Sequence, residues 1–192
     1  RSIRRFTDQP VSRELLLELI EAARLSPSGC NSQPWRFRLV TDRADIEWFA
    51  GEATSKQGWI AKAGAVIVCC VDTRAYMKDS RATIRALQEA GMVTDEFAGE
   101  VENLYLRPAE CGPPELLKGA AGLNLAIAMT SMMYRAVELG LGSTWVGRVD
   151  DAATRGRLGI PDGLAVMALL PVGFPAESPA SRPRKGIEEI LV

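Results

Sequence analysis

Pro27-Ser28-Gly29-Cys30-Asn31-Ser32-Gln33-Pro34-Trp35-Arg36 separates a helix-like run from a strand-like one. Two prolines and a glycine cannot continue a helix, so residues 27–34 form a shaped loop. Ser28, Asn31, Ser32 and Gln33 crowd hydroxyl and amide groups into it. That suits either a well-capped turn or a loop that reads the edge of a flat heteroaromatic ligand. Upstream, Ser12 is an N-cap signal, and Leu15, Leu16, Leu19, Ile20 and Ala23 recur on one helical face that Pro27 stops. Downstream, Trp35 to Val40 alternates large apolar with basic residues, as a strand with one wet face does.

Further along, Asp42 to Lys62 reads as helical with breaks near Gly51 and Gly58, and Ala65 to Val71 as a strand covered on both faces. Residues 73–118 carry no strong core pattern. Arg74 to Ala90 suits a helix, but the glycines and prolines beyond it interrupt the pattern repeatedly, so the segment is expected to be a lid or insertion. Its Tyr76, Met77, Met92, Phe97 and Tyr105 either cover a flat ligand or tack the excursion onto the body. Glu115 to Leu139 is the longest helix, apolar nearly all round, which places it at the centre of the molecule or at an interface. Leu141-Gly-Ser-Thr-Trp-Val-Gly147 follows a helix, so it is not the dinucleotide fingerprint, which follows a strand and opens a helix. A short helix (150–158), a buried strand (165–173) and a proline-rich extended connector (175–183) complete the order. The tail beyond, with Arg182, Arg184 and Lys185, is either solvated or crosses to a partner copy. At the other end, Arg1, Ser2, Arg4 and Arg5 form either a solvated basic terminus or a phosphate-capturing cluster.

The composition narrows the chemistry. With 192 residues, 47% hydrophobic and 24% charged, the chain suits a single domain, or one that completes itself by pairing with a copy. A formal net charge of −1 argues against a general nucleic-acid binder. The absence of histidine excludes a Ser-His-Asp hydrolase and a histidine-ligated metal site, so no metal is expected and the reactive group must be borrowed. Cys30, Cys69, Cys70 and Cys111 lack Cys-x-x-Cys spacing and are expected to be free thiols in a reducing, cytoplasmic setting, with Cys30 a packing residue. The run 119–134 is short for a membrane span and reads as a buried helix, and residues 1–14 are too polar for a signal peptide. The sequence begins at Arg1 without methionine, which leaves an N-terminal extension open.

Pro-Ser-Gly-Cys-Asn-Ser-Gln-Pro-Trp, preceded by Arg1-Ser-Ile-Arg-Arg-Phe6, resembles the N-terminal signature of the nitroreductase family of flavin enzymes. The resemblance returns in Asn124 to Thr130, Glu138 to Gly147, Leu158-Gly-Ile-Pro161 and Arg182 to Leu191. It implies an α/β (α+β) three-layer sandwich over 1–192, with a mainly antiparallel sheet flanked by helices and a C-terminal segment exchanged in a homodimer. It implies FMN as cofactor, NAD(P)H as electron donor and an electron-poor acceptor, nitroaromatic or quinone, reduced by a ping-pong mechanism. By the same resemblance Arg1, Ser2, Arg4, Arg182 and Arg184 hold the flavin phosphate and ribityl chain. Pro27, Ser28, Gly29, Asn31 and Gln33 meet the ring, Trp145 and Val146 flank it, and a backbone N–H near Gly147 faces the flavin N5. Asn124 stands where relatives often carry aspartate, and Ser131 where some carry histidine. A non-catalytic flavin store or sensor and a reductive dehalogenase are the alternatives.

Overall fold

The computed structural model describes residues 1–192 apart from the side chain of Glu52. Its sheet is built from β1 (Trp35–Val40), β2 (Ala65–Asp72), β3 (Gly142–Ser143) and β4 (Leu164–Gly173), all neighbours antiparallel in the order β1-β2-β4-β3. β2 lies inside the sheet, and its unbroken apolar run is what a strand covered on both faces requires. Alternation sends Ala65, Ile67, Cys69 and Val71 to one core and Val66, Val68 and Cys70 to the other. Cys69 and Cys70 therefore point to opposite faces, as adjacent strand residues must. Burial pushes the Cys70 thiol up to about 12 and Cys69 well above its ordinary range, which leaves both as inert packing groups.

One face of the sheet is covered by α1 (Arg13–Arg24) and the long α6 (Pro114–Glu138). Ser12 caps α1, its hydroxyl accepting from the Leu15 N–H at 3.3 Å. The other face is covered by α2 (Arg43–Ala50), two short 3-10 turns (Glu52–Thr54 and Gly58–Lys62) and α7 (Asp151–Leu158). The helix expected over 42–62 is thus shorter. Asp42 caps it, and the chain leaves helical geometry at Gly51, where φ is −92° and ψ −126°. Where Cys69/Cys70 pair with β4, the register shifts by one residue, so that Met167 and Ala168 both turn toward the α1/α6 side. This β-bulge bends β4 where Leu169 bridges to Val146.

The helix read over 74–90 is present, and the segment after it is helical too: it folds as α3 (Thr73–Glu89), α4 (Asp95–Glu100), a wider-turned stretch (Val101–Leu106) and α5 (Arg107–Cys111) before α6 begins. Its core signal was faint because only Met77, Val101 and Leu106 form its buried apolar cluster, while Asp72 and Thr94 cap its helices through Ala75 N–H and Phe97 N–H. The reading of 119–134 as a buried helix needs correction, because α6 is buried along one face only. Ala121, Asn124, Leu125, Ala128, Met129, Met132 and Ala136 face the core, whereas Leu123, Ile127, Tyr134 and Val137 are exposed. By length and composition α6 could cross a membrane, but its inner face is part of the core.

Arg81 of α3 forks onto both Glu102 and Glu110, at 2.6–3.0 Å, and pins the two arms of the excursion together. Its hydrogen bonds hold both carboxyls below the ordinary carboxylate range. A carboxylate whose folded pKa is lowered contributes stability above its unfolded pKa and loses it as pH falls through the folded one. Acidification below roughly pH 4 should therefore loosen 95–111 ahead of the sheet. Limited proteolysis across that range reads this directly, and Arg81→Met should flatten the dependence.

Candidate functional site

The chain ends meet at the β3 edge of the sheet. Ser2 bridges Ser143 in parallel, the Ile3 N–H donates to the Ser143 carbonyl at 3.0 Å, and the Thr144 hydroxyl donates to the Ile3 carbonyl at 2.7 Å. On its other side the N-terminal segment runs along 174–177. Thr7 N–H bonds the Phe174 carbonyl, Ala176 N–H bonds the Arg5 carbonyl, and the Glu177 carboxylate accepts from the N–H groups of Arg4 and Arg5 at 2.6 and 3.0 Å. Those two bonds hold the Glu177 carboxyl below its ordinary range. Glu177, which the sequence did not single out, is thus the staple between the termini. The Arg1 Nε reaches the Ala180 carbonyl at 3.1 Å, and so brings the arm that carries Arg182 and Arg184 to the same end.

No carboxylate pairs with the side chains of Arg1, Arg4, Arg182 or Arg184 among the described residues. Arg184 bonds only the neighbouring carbonyls of Arg182 and Pro183, and the Arg4 guanidinium lies 5.7 Å from the Trp59 ring centroid. Unneutralised guanidinium groups beside a serine suit an anion of phosphate type. Beside them Val146 is buried and ties to Leu169 in both directions at 2.9 Å, while Trp145 is 39% exposed. Gly147 is exposed, and its N–H has no hydrogen-bond partner among the described residues. A donor set of this kind fits the phosphate and the ring edge of a flavin mononucleotide.

The loop 27–34 lies elsewhere, at the entrance to β1. Cys30, Asn31 and Gln33 sit at φ 50°, 49° and 43°, left-handed conformations that cost non-glycine residues about 1–3 kcal/mol each. Bonds inside the loop offset part of this: Asn31 N–H to the Ser28 carbonyl, Ser32 N–H to the Gly29 carbonyl and Gln33 N–H to the Ser28 hydroxyl. From outside, Asn124 of α6 accepts the Gly29 N–H at 2.7 Å and donates to the Ala120 carbonyl at 3.0 Å. The sequence noted Asn124 only as a departure; here it anchors the loop. Ser131, the other departure, meets the Ser26 hydroxyl at 2.8 Å and ties the end of α1 to α6. Gly29, Asn31 and Gln33 remain exposed. An open groove of ≈ 500 Å³ lies alongside, lined by Asn31, Gln33, Arg36, Asp79 and Thr83. Ser32 lines it too, 1% exposed, with no hydrogen-bond partner for its hydroxyl among the described residues.

Cys30 packs with Tyr76 against Met77, Val101 and Leu106, and burial pushes its thiol up, so it buttresses the loop. Of the residues proposed to cover a ligand, Phe97 and Tyr105 are exposed, Tyr76 is half-buried and Met77 lies beneath the excursion, 5% exposed.

The site residues therefore fall into two groups. β1 and β3 are the two edges of the sheet, separated by β2 and β4, which is about 14 Å at the usual strand spacing. No hydrogen bond joins the loop 27–34 to the meeting point of the termini among the described residues. Within one chain the groups do not converge.

The model of the nitroreductase family matches residues 1–98 and 113–174, which takes in both groups except the arginine tail. The chain belongs to the nitroreductase family. Residues 99–112, outside the match, are the far arm of the excursion pinned by Arg81. Among curated proteins, the chain is 29% identical over 192 residues to an NADH dehydrogenase of Thermus thermophilus, covering all of this chain and 91% of that one. It is 30% identical over 191 residues to an FMN reductase [NAD(P)H] of Bacillus subtilis, covering 96% of this chain and 66% of that one. Its fold matches that of a nitroreductase-like protein from Streptococcus mutans with a TM-score of 0.80 at 24% identity, over all of this chain and 93% of the other.

Proposed function

We propose that this nitroreductase-family chain is a cytoplasmic, homodimeric FMN-dependent oxidoreductase. It takes hydride from NAD(P)H and passes it, in ping-pong fashion, to an electron-poor acceptor such as a nitroaromatic or quinone. The observation that carries this reading is the gathering of Arg1, Ser2, Arg4 and the 180–184 arm beside the free N–H of Gly147, with the ring-reading loop on the opposite sheet edge. FMN supplies the two-electron chemistry that a chain without histidine lacks. Arg1, Ser2, Arg4, Arg182 and Arg184 hold its phosphate and ribityl chain, and Trp145, Val146 and Gly147 lie along its ring. Pro27, Ser28, Gly29, Asn31 and Gln33 of a second copy close the other side. Arg4 adds positive charge where negative charge develops at the pyrimidine edge. Because donor and acceptor need only be positioned for transfer, no proton-transferring side chain is required in the first half-reaction. Phe97, Tyr105 and Tyr76 of the excursion shape access to the pocket.

The outer face of α6 supports the pairing. Leu123, Ile127, Thr130, Tyr134 and Val137 are exposed at alternating steps of four and three, the spacing of a helix–helix seam. Ile187, Ile190 and Leu191 are also exposed, an apolar tail that needs cover from another copy and suits exchange between subunits. Ile127→Arg would bury a charge in that seam, and should convert the dimer to monomer and release the flavin. Sedimentation velocity with absorbance at flavin and protein wavelengths measures both.

The functional test is a visible spectrum of the purified protein followed by anaerobic addition of NADH and of NADPH. Flavin bands that bleach promptly, and recover on adding a quinone or nitroaromatic, are the expected result. Bands that persist with both donors would make the protein a flavin store or sensor, and recovery only with a halogenated acceptor would favour reductive dehalogenation.

A further inference from the structure

Arg36 is the second residue of β1, yet its guanidinium turns back to the loop. Its Nη1 donates to the Gln33 carbonyl at 3.1 Å and to the Trp35 carbonyl at 2.8 Å, while Nη2 lies 3.6 Å from the Asp72 carboxylate. Asp72 ends β2 and does three things at once. Its N–H donates to the Pro34 carbonyl at 2.8 Å, one carboxylate oxygen caps α3 through the Ala75 N–H at 2.8 Å, and the other draws Arg36. Asn124 and Arg36 are the two side chains from outside 27–34 that bond loop atoms among the described residues. Asn124 holds the Gly29 end, and Arg36 holds the end where Gln33 is left-handed.

We propose that Arg36 and Asp72 are a positioning pair that keeps the 30–33 turn in the conformation that meets the flavin ring. The proposal rests on the FMN reading above. A turn with three non-glycine residues at positive φ relaxes unless it is over-determined. A guanidinium can hold the Gln33 and Trp35 carbonyls through one Nη while the other Nη faces a carboxylate, because its donors are fixed in one plane, whereas an ammonium is a single point. The carboxylate of Asp72 fixes that plane and links it to the start of α3, whose Asp79 and Thr83 line the groove beside Gln33.

Three variants separate positioning from general stability. Arg36→Leu removes the grip, Asp72→Asn keeps an oxygen for the α3 cap but gives up the charge, and Arg36→Lys keeps charge without the fork. Each is measured by amide hydrogen exchange over 29–33, FMN titration, kcat and KM with NADH, and the melting temperature of the flavin-free protein. Arg36→Leu and Asp72→Asn should speed exchange of the Asn31, Ser32 and Gln33 amides and weaken FMN about tenfold, the loss of one charged hydrogen bond. Melting of the flavin-free protein should change little, and Arg36→Lys should fall between. Unchanged exchange and unchanged FMN affinity in both Arg36→Leu and Asp72→Asn would overturn the pair. If the unsubstituted protein takes no FMN, the flavin reading falls by itself. The exchange rates then decide: faster exchange in the variants sustains the grip on the turn, and unchanged exchange ends it.

Discussion

Asn124→Leu should abolish tight flavin binding while the sheet still folds. Asn124 is 8% exposed, and its Oδ1 is the acceptor that pins Gly29 to the middle of α6. Leucine is nearly isosteric, so no large cavity opens, but the Gly29 N–H is left without its partner. A half-buried donor stranded in this way costs about 1–3 kcal/mol. That cost falls on a turn already strained at Cys30, Asn31 and Gln33, so the loop should open rather than the domain melt. FMN affinity is expected to drop at least tenfold, with a fall in thermal midpoint of roughly 2–4 °C for each kcal/mol if the whole domain were to feel it and less if only the loop does. Asn124→Asp is the informative companion. It keeps an oxygen for Gly29 but sets the other against the Ala120 carbonyl that now accepts from Nδ2, so its carboxyl should be pushed above the ordinary range. A raised folded pKa contributes stability at low pH and loses it as pH rises through that value. The aspartate variant should therefore bind flavin better near pH 5 than near pH 8, seen in the same fluorescence titration at two pH values.

The second large effect is expected from Gly142→Val. A Cβ at Gly142 would sit 2.7–2.8 Å from three atoms of Ile3, closer than side chains approach. Nothing beside it can yield except the N-terminal segment, because Gly142 is fixed in β3 opposite Gly173, itself pressed against Phe6. Overpacking of this kind costs about 1–3 kcal/mol. Here the strain is relieved by lifting Ser2 and Ile3 off Ser143, which withdraws Arg1, Ser2 and Arg4 together. FMN should weaken by more than tenfold while free riboflavin, which lacks the phosphate, changes less. A riboflavin loss as large as that of FMN would show that the damage is to the sheet and not to the anion site. Ile3→Ala in the same chain removes the Cγ1 and Cγ2 contacts and should restore part of the binding.

What could be read from the sequence follows physical range. β2 and β4 were legible because strands covered on both faces must be apolar throughout, and α1 because Ser12, a periodic face and Pro27 all agree. The loop 27–34 was legible as a loop, but its left-handed residues were not, since the turn is held by bonds within it and by one from Asn124, far away in sequence, to Gly29. The helix over 74–90 was legible, but residues 91–111 carried no core pattern because helices held by Arg81, Glu102 and Glu110 and by side-chain caps need little apolar periodicity. Composition suggested that α6 was apolar all round; only packing reveals that Leu123, Ile127, Tyr134 and Val137 face outward. Glu177 gave no signal at all, being one acid in a proline-rich connector whose partners are the backbone of Arg4 and Arg5.

The join between the two ends of the chain sets a timetable for biosynthesis. Residues 1–6 have no place to lie until the strand at 142–143 exists, and no fastening until Glu177 has been translated. For most of its production the polypeptide therefore carries Arg1, Arg4 and Arg5 on an unfastened segment that is open to proteases. A chain cut between Gly173 and Glu177 would keep every strand and α1–α7 yet lack the staple and the 180–184 arm, so on the FMN reading it should fold without becoming yellow.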